Sequence, residues 1–358
     1  MPLSYEQAKV IEVIRGNGDV TWVEVQLKDE VTVAISYDRL TGPIKKGDAV
    51  ILNTTAVNLG LGTGGCHFVI FNYSNETKAT HGKGHIMKLR YTPLQLRCLS
   101  AEEEDSPYHN KFKQFTTLGG HVFLIGSLHS MLGPIAAMLK WYDKDIKINY
   151  IMTDGASLPI YFSNTVPLLK KKDLIKNTIT IGNAFGGDLE CVNIYTGLIA
   201  AKEILKGDIT IIAMGPGIVG TGTKYGFSGV EQGLIIDAIN TLGGNPIVVP
   251  RISFKDSRKR HVGLSHHTRT VLAEIAKTSG NVILPILDDS KANVINRQID
   301  ISNIRKKHQI HYEEGEDIFE AMEYFQLNTT TMGRSYQEDK DYFIALGAAG
   351  KYAIEALK

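Results

Sequence analysis

Six Lys and Arg residues and three His residues surround a single acid in residues 251–270 (RISFKDSRKRHVGLSHHTRT), although the formal net charge of the whole chain is only +1. Guanidinium groups bind phosphate and carboxylate through pairs of parallel hydrogen bonds. The segment follows a predicted strand and precedes a helix that Ser265 is expected to cap. We predict that Arg251, Arg258 and His266 contact an anionic ligand. The alternative is a solubilising surface loop.

A glycine-rich segment follows the preceding predicted strand. Residues 215–220 (GPGIVG) fit the pattern G-x-G-x-x-G, but a further loop, TGTKYGFSG, separates them from the next predicted helix. In a dinucleotide site the helix begins within the glycines and an acid ends the next strand, where Arg251 stands here. The interposed Thr223 departs from the phosphate-binding loop pattern. A nicotinamide cofactor is therefore not favoured, and the sequence names no other cofactor.

What remains for the glycine-rich segment is a generic capacity to bind anions. Glycines let backbone N–H groups approach a ligand closely, and the N-terminus of a following helix adds positive potential. Ser228 and Glu231 are predicted to form a capping box at that helix. The residues predicted to contact the anion are Gly215, Gly217, Gly220, Gly222 and Lys224. A loop whose glycines only form turns is the alternative.

Three residues in the predicted loops are candidates for catalysis: His129, Asp154 and Asp188. Imidazole and carboxylate groups can transfer protons, and together they can bind a metal ion. A turn-stabilising hydrogen bond is the alternative for His129, and a helix cap is the alternative for Asp188. The densest histidine groups lie in residues 81–85 and 261–267. The consecutive histidines of the latter do not share a helix face. The metal content stays open.

The elements that position these residues alternate in type from residue 111 onward. Six apolar runs read as buried strands: HVFLIGS, IKINYIMTD, NTITIGNAF, DITIIAMG, NPIVVPRIS and NVILPIL. Helical segments lie between them, which predicts a mainly parallel, doubly wound, Rossmann-like three-layer α/β domain over residues 111–358, with a helical C-terminal segment. An eightfold β/α barrel is the alternative. Ligands bind outside the carboxyl ends of such strands, so the loops named above are expected at one edge.

Residues 1–110 have a different sequence pattern. Short extended runs such as KVIEVIR, VTWVEVQL and CHFVIFNY alternate with turns rich in Gly, Pro and Asp. Closure of these runs into a small barrel would hide their edges, and we predict an all-β, barrel-like domain. A linker is expected in the acidic stretch AEEEDSPYHN, at residues 101–110.

Composition excludes several classes of protein. The chain of 358 residues is 43% hydrophobic and 22% charged, which is ordinary for a globular protein of two domains. The balance of charge argues against a protein that coats nucleic acid. Three widely spaced cysteines, Cys66, Cys98 and Cys191, encode neither a disulfide framework nor a zinc ribbon. Neither a secretion signal nor a membrane-spanning stretch is recognised, so we expect a cytoplasmic protein without a membrane partner.

Several segments together resemble an uncharacterised bacterial family that carries only a domain-of-unknown-function label. They are GTGGCHFVIFN, GHIMKLRYTPLQ, GSLHSMLGPIAA, GPGIVGTGTKYGFSGVEQG, RISFKDSRKRHVGLSHHT and TTTMGR. The resemblance runs over essentially the whole chain. It implies a bacterial, cytoplasmic protein and assigns no reaction and no catalytic residue.

The sequence therefore predicts an enzyme or a sensor that binds a small anionic molecule, such as a phosphorylated metabolite or a nucleotide, at the carboxyl edge of the parallel sheet. The alternative is a nonenzymatic module whose barrel binds RNA or a protein. Its stacking surfaces for RNA bases would be Trp22, Tyr37, Phe68, Phe71 and Tyr73. The identity of the ligand, the reaction and the formation of a homo-oligomer stay open.

Overall fold

The computed structural model describes residues 3–62, 64–75, 82–156 and 158–358. It divides the chain into two compact units, Met1–Cys98 and Leu99–Lys358. The division lies closer to the N-terminus than the boundary that the sequence suggested near residue 110. The difference has a physical reason: the amide of Ala101 donates to the carbonyl of Glu190 at 2.8 Å, which ties the acidic stretch to the second unit.

The first unit is built on a closed five-stranded barrel, as the sequence predicted. The barrel strands are β1 (Tyr5–Asn17), β2 (Val20–Leu27), β3 (Glu30–Tyr37), β4 (Ala49–Asn53) and β5 (His67–Asn72). Their order is β1-β2-β3-β5-β4, and β4 closes the barrel by pairing antiparallel with β1. Alternating apolar residues of β1 and β2, among them Val10, Val23 and Val25, are buried inside it.

The remaining elements of this unit are small. Two single-turn helices are α1 (Asp38–Thr41) and α2 (Thr55–Asn58). A separate antiparallel pair consists of β6 (Ile86–Lys88) and β7 (Leu96–Cys98).

The second unit contains an eight-stranded sheet in which every neighbouring pair is parallel. Its strands are β8 (Val122–Ile125), β9 (Ile148–Thr153), β10 (Asn177–Ile181), β11 (Leu189–Cys191), β12 (Ile209–Met214), β13 (Asn245–Val248), β16 (Asn281–Pro285) and β17 (Gln309–Glu313). Two strands outside the sheet, β14 (Ile252–Ser253) and β15 (Gly263–Leu264), form a short hairpin. The order in the sheet is β11-β10-β9-β12-β8-β13-β16-β17.

Helices cover both faces of this sheet. They are α3 (His109–Lys113), α4 (Leu132–Tyr142), α5 (Thr165–Lys171), α6 (Ile194–Ile199), α7 (Glu231–Thr241), α8 (His266–Thr270), α9 (Asp289–Ile301), α10 (Ile318–Tyr324) and α11 (Lys340–Glu355). Helices α4, α5, α10 and α11 share one core cluster with the sheet, and α6, α7 and α9 share the other. The predicted three-layer, doubly wound architecture is confirmed.

The edge formed by the carboxyl ends of the strands is where the crossovers diverge. Strands β12 and β13 both pair with β8, so the loops that follow them lie on either side of the end of β8. Helix α4, which follows β8, packs on one face of the sheet, whereas α7, which follows β12, packs on the other. A crevice at this point is the usual ligand site of an open parallel sheet.

Two local predictions fail. The segment between the predicted strands NTITIGNAF and DITIIAMG, expected to be helical, contains strand β11 before α6 begins. The predicted capping box is also wrong: the Ser228 hydroxyl accepts from the amide of Val219 at 3.1 Å, and the Glu231 carboxylate accepts from the Thr153 hydroxyl at 2.6 Å. Among the described residues, no helix combines the length and the apolar character needed to cross a bilayer.

Candidate functional site

The arginine segment, residues 251–267, leaves the sheet after β13 as a hairpin and returns to start α8. The short strands β14 and β15 close the hairpin, and the amide of Ser265 donates to the carbonyl of Arg251 at 2.9 Å. The hydroxyl of Ser265 accepts from the amide of His267, so the predicted cap of this helix is confirmed. The loop between β14 and β15 carries Arg258 and Arg260.

The glycine segment, residues 215–227, also folds back on itself. The amide of Thr221 donates to the carbonyl of Gly226 at 2.8 Å. Gly217 and Gly222 have φ angles of +112° and +78°. This region favours glycine because other residues are strained there. Within the described part of the chain, the amides of Gly217, Gly220 and Gly222 donate to no acceptor, which leaves them available to a ligand.

The two segments meet. The ring of Phe227, at the end of the glycine segment, stacks on that of His267, with centroids 3.9 Å apart. A Cβ atom placed on Gly222 would lie 3.8 Å from Nη2 of Arg260. Between the segments lies a hollow of about 140 Å³, here called the central hollow. Its lining residues are Ile218, Val219, Gly220, Gly222, Arg251, Arg258, Arg260, His261, His267 and Met332.

A buried carboxylate orients two of these arginines. Asp256 accepts two hydrogen bonds from the guanidinium of Arg258, both at 2.8 Å, and one from that of Arg251 at 3.1 Å. Nη2 of Arg334 lies 3.8 Å from the same carboxylate, and its Nε donates to Asp339 at 2.9 Å. The paired guanidinium of Arg258 holds the pKa of Asp256 well below its usual range. Arg251 and Arg258 are therefore fixed in place without a ligand.

The positive charge of the region is not fully neutralised. Four guanidinium groups face two carboxylates, and the exposed Arg260 makes no ion pair within the described ranges. Lys224, in contrast, is occupied: its Nζ lies 2.6 Å from a Glu274 oxygen, and this contact raises the pKa of Lys224. Arg260 is thus the cation of the hollow that is most available to an anion.

Three imidazoles lie beside the hollow. The ring centroids of His261, His266 and His267 are 4.3 to 4.9 Å apart. Burial, followed by nearby guanidinium groups, lowers the pKa of His261 to about 3 and also lowers the pKa of His266. Burial and the two neighbouring imidazoles lower the pKa of His267 to about 3. All three rings are neutral at physiological pH.

Two larger cavities adjoin the central hollow. One, of about 660 Å³, shares Gly222 and Arg260 with it and is also lined by Lys224 and His266. The other, of about 610 Å³, shares Ile218 and Met332 with it. The second cavity is called the His129 cavity here, because that residue lines it together with Gly215 and Gly217. The glycine, arginine and histidine residues that were predicted to contact the anion therefore line these three adjoining cavities, which together are called the groove here.

His129 is already engaged at both ring nitrogens. Nδ1 lies 3.2 Å from the carbonyl of Met214, and Nε2 lies 2.6 Å from the hydroxyl of Ser163. Burial lowers the pKa of His129 to about 4, so the ring is neutral. This geometry leaves neither nitrogen free to exchange a proton with a ligand and favours the turn-stabilising role.

The two candidate aspartates lie in different places. Asp154 follows β9 at the carboxyl edge and accepts a hydrogen bond from the amide of Asn183 at 2.9 Å. Its negative charge helps to raise the pKa of Glu231. Asp188 lies instead at the amino end of its sheet neighbour β10, where it accepts from the amide of Thr178 at 2.8 Å and pairs with Lys170. The expectation that all of the strand-end loops share one edge is wrong for Asp188, because strand β11 begins immediately after it.

The residues of the alternative RNA site differ in exposure. Trp22 is buried, with the guanidinium of Arg15 over its ring, whereas Phe71 and Tyr73 are exposed and stack edge to face with centroids 5.3 Å apart. Tyr37 and Phe68 form a tilted pair at 5.8 Å. In the other densest histidine group, His81 lies outside the described residues.

Sequence comparison adds a family but no activity. Residues 33–350 match the family model described as "Protein of unknown function (DUF3866)". The chain belongs to this family. The whole-chain resemblance to a family of unknown function is therefore confirmed. A comparison of this DUF3866 chain with curated proteins gives no match.

Several site residues of this DUF3866 member carry no signal in the sequence. Asp256 and Arg260 stand in the basic segment beside the predicted contact Arg258, but the sequence of a single loop does not indicate which side chains pair and which stay available. Asp339 and Arg334 come from a distant part of the chain. His261 and His267 belong to a dense histidine group in the sequence, but their convergence depends on the hairpin that β14 and β15 form.

Proposed function

We propose that this protein is a cytoplasmic enzyme or sensor that binds a small anionic metabolite, with the phosphate or carboxylate group of that metabolite in the central hollow. One observation carries the proposal: the guanidinium of Arg260, which pairs with no acid of the described residues, lines the hollow beside Gly222. Arg251 and Arg258 line it as well, and both are held by Asp256.

The size of the hollow supports an anionic group rather than a complete nucleotide. Drug-sized ligands occupy pockets of roughly 300–1,000 Å³. The central hollow, at about 140 Å³, is well below that range. The adjoining cavities of about 610 and 660 Å³ provide the additional space. The anion would thus lie in the middle of the groove, and the rest of the molecule would extend into one cavity.

The arrangement of hydrogen-bond donors around the hollow supports the same assignment. Arginines that are already held by a carboxylate lose little side-chain freedom when they contact a ligand. The amides of the glycine segment that have no acceptor among the described residues add neutral donors of the kind that anion sites use. The three cysteines are too widely spaced to encode a disulfide framework, which supports the cytoplasmic location.

Thermal-shift measurements on the full chain in the presence of EDTA test the proposal. The ligands are inorganic phosphate, sugar phosphates, nucleotides and dicarboxylates. A ligand at about one hundred times its Kd adds roughly 2.7 kcal/mol of stability. We expect stabilisation by at least one phosphate or carboxylate compound, and we expect the Arg260→Gln variant to lose most of it.

The matched control is Arg297→Gln. Arg297 is an exposed arginine of α9, and it is absent from the described residues that line the three cavities. Equal loss in both variants would show a general effect of charge and would contradict the assignment. Salt-sensitive binding of oligonucleotides without a response to any metabolite would favour the nucleic-acid alternative instead.

A further inference from the structure

We propose that His261, His266 and His267 form a binding site for one divalent transition-metal ion of the Zn²⁺ class, with an open coordination position beside the central hollow. One ligand atom from each imidazole lies within 4.8 Å of the other two. Zn–N distances of about 2.0–2.1 Å place the nitrogens of a tetrahedral site roughly 3.4 Å apart, so small ring rotations would complete the set.

The ring nitrogens themselves point to a ligand. Nε2 of His266 and Nδ1 of His267 are buried and have no hydrogen-bond partner among the described residues. A buried polar atom without a partner destabilises a protein, so native structures rarely leave one unexplained. Coordination of a metal ion would satisfy these lone pairs, which neutral imidazole nitrogens offer and protonated ones do not.

The third imidazole is oriented by a neighbouring side chain. Nδ1 of His261 lies 2.8 Å from the hydroxyl oxygen of Ser265, which also accepts from the amide of His267. A proton on Nδ1 that is donated to this oxygen leaves the lone pair on Nε2 of His261. Metal-binding histidines generally have their second nitrogen held in this way. Ser265 is therefore a positioning residue for the site.

The type of ligand limits the choice of ion. Three imidazoles without a carboxylate suit Zn²⁺, Cu²⁺, Ni²⁺ or Co²⁺ and do not suit Mg²⁺ or Ca²⁺, which prefer oxygen ligands. Three protein ligands leave a fourth position for water or a ligand, as in catalytic rather than structural zinc sites. Since His261 and His267 line the central hollow, that position lies next to the proposed anion.

Nearby positive charge makes the binding of the metal ion depend on the binding of the anion. Arg251, Arg258 and Arg260 line the same hollow as two of the histidines and repel a cation. An anion bound among the guanidinium groups offsets this repulsion, so a metal ion and an anion should bind more tightly together than separately. This coupling rests on the proposed function, whereas the three-histidine site itself does not.

The test uses the full chain after dialysis against EDTA, titrated with Co²⁺ and Zn²⁺ by calorimetry. We expect one ion per chain. The His266→Gln and His267→Gln variants should bind at least about tenfold more weakly, since loss of a ligand exceeds the roughly 10–100-fold loss caused by changes in residues that only orient metal ligands. His109→Gln is the matched control, because His109 lies outside the cluster and contacts the carbonyl of Glu102.

A second measurement protects the test against a variant that fails to fold. Co²⁺ bound by three imidazoles and one open position absorbs visible light strongly, whereas six-coordinate Co²⁺ absorbs weakly, and this comparison needs only the wild-type chain. An absence of saturable binding, weak six-coordinate absorption, or equal affinity in folded histidine variants would each overturn the proposal. Histidines that merely pack against Phe227 would give these results.

Sulfate then measures the coupling. Addition of sulfate should tighten Co²⁺ binding by about 5–150-fold, and Co²⁺ should tighten sulfate binding by the same factor. The Arg260→Gln variant should bind Co²⁺ in the absence of sulfate and show a smaller coupling. Failure of the proposed function leaves metal binding without any anion response, and failure of the metal site leaves anion binding that histidine variants do not change.

Discussion

Phe227 and His267 lie face to face, with ring centroids 3.9 Å apart and planes inclined by only 4°. The first residue ends the glycine segment after β12, and the second ends the arginine segment, in the first turn of α8. The stack is therefore one of the contacts that join the two loops beside the central hollow. It also fixes the plane of a ring that we propose as a metal ligand.

Replacement of Phe227 by Leu tests this relationship. The side chain is only 5% exposed. We expect a loss of roughly 1–2 kcal/mol in the free energy of unfolding of the second unit, from the lost contact area and the lost ring stacking. Affinity for Co²⁺ and for phosphate should fall as well, because His267 loses its support. Urea unfolding and the ligand titrations measure the two effects.

Phe112→Leu provides the comparison, since Phe112 is half-buried in α3 and packs against the core cluster that holds α6 and α7. That variant should lose stability without loss of ligand affinity. If Phe227→Leu unfolds more easily but binds both ligands as the wild type does, the stack supports the core and not the site.

The sequence predicts the sheet and the approximate place of the site better than it predicts the site chemistry. Apolar runs separated by helices are sufficient for a parallel sheet, and a parallel sheet brings the loops after β12 and β13 to one edge. The meeting of the glycine segment with the arginine segment was therefore expected in outline. Asp188 was misplaced because β11 has only three residues and leaves no periodic pattern.

The convergence of the three histidines could not be predicted from the sequence for a similar reason. His261 returns to His266 through the hairpin of β14 and β15, whose strands have two residues each. Strands of two residues are too short to show the alternation of apolar and polar residues that identifies a strand in a sequence. The spacing rule for helix faces also does not apply, because His266 and His267 stand at the start of α8, where the chain enters the helix from Ser265.

Asp256 is predicted to be the carboxylate that allows the arginines to lie together. In Asp256→Asn, the buried Arg251 loses its charged partner. Breaking such a buried pair typically destabilises a protein by about 3–5 kcal/mol. Millimolar sulfate should restore part of this stability, because it can replace the lost negative charge. Differential scanning calorimetry with and without sulfate measures both effects.

Asp188→Asn is the matched control for that experiment. Its partner Lys170 is half-exposed. The pair should therefore contribute at most about 1 kcal/mol, and sulfate should stabilise this variant no more than the wild type. Equal rescue of Asp256→Asn and Asp188→Asn would mean that sulfate acts on the whole protein surface rather than in the hollow.

Glu231 gives a dependence of stability on pH that can be measured. Burial, opposed by the hydrogen bond from Thr153 and reinforced by Asp154, raises the pKa of Glu231 to about 7 from an ordinary value of 4.5. The protonated form is thus favoured in the folded protein. Its contribution to stability is fully present below pH 4.5 and is lost as the pH rises through about 7.

The Glu231→Gln variant should remove this loss. Glutamine can still accept from the Thr153 hydroxyl but does not ionise, so we expect the variant to be more stable than the wild type by roughly 1–3 kcal/mol at high pH and similar to it near pH 5. Chemical unfolding across this pH range measures the difference. A variant that is less stable than the wild type at every pH would show that the carboxylate is needed in its charged form.

Gly222 tests whether the glycine segment needs its backbone conformation for binding. Its φ of +78° strains any other residue, and a Cβ atom would lie 3.8 Å from the nearest guanidinium nitrogen of Arg260. Gly222→Ala should therefore fold, since the left-handed conformation is destabilising by only about 1–2 kcal/mol. The displaced loop should weaken phosphate binding, which the thermal-shift titration measures.

Gly220 supplies the matched control for Gly222. It lines the same hollow without a left-handed φ, and a Cβ atom there would meet His267 at an ordinary 3.5 Å. Gly220→Ala should leave the phosphate affinity within a few-fold of the wild type, because the backbone keeps its course and the amide stays in place. If the two variants lose equal affinity, crowding of the hollow rather than the backbone conformation explains the loss.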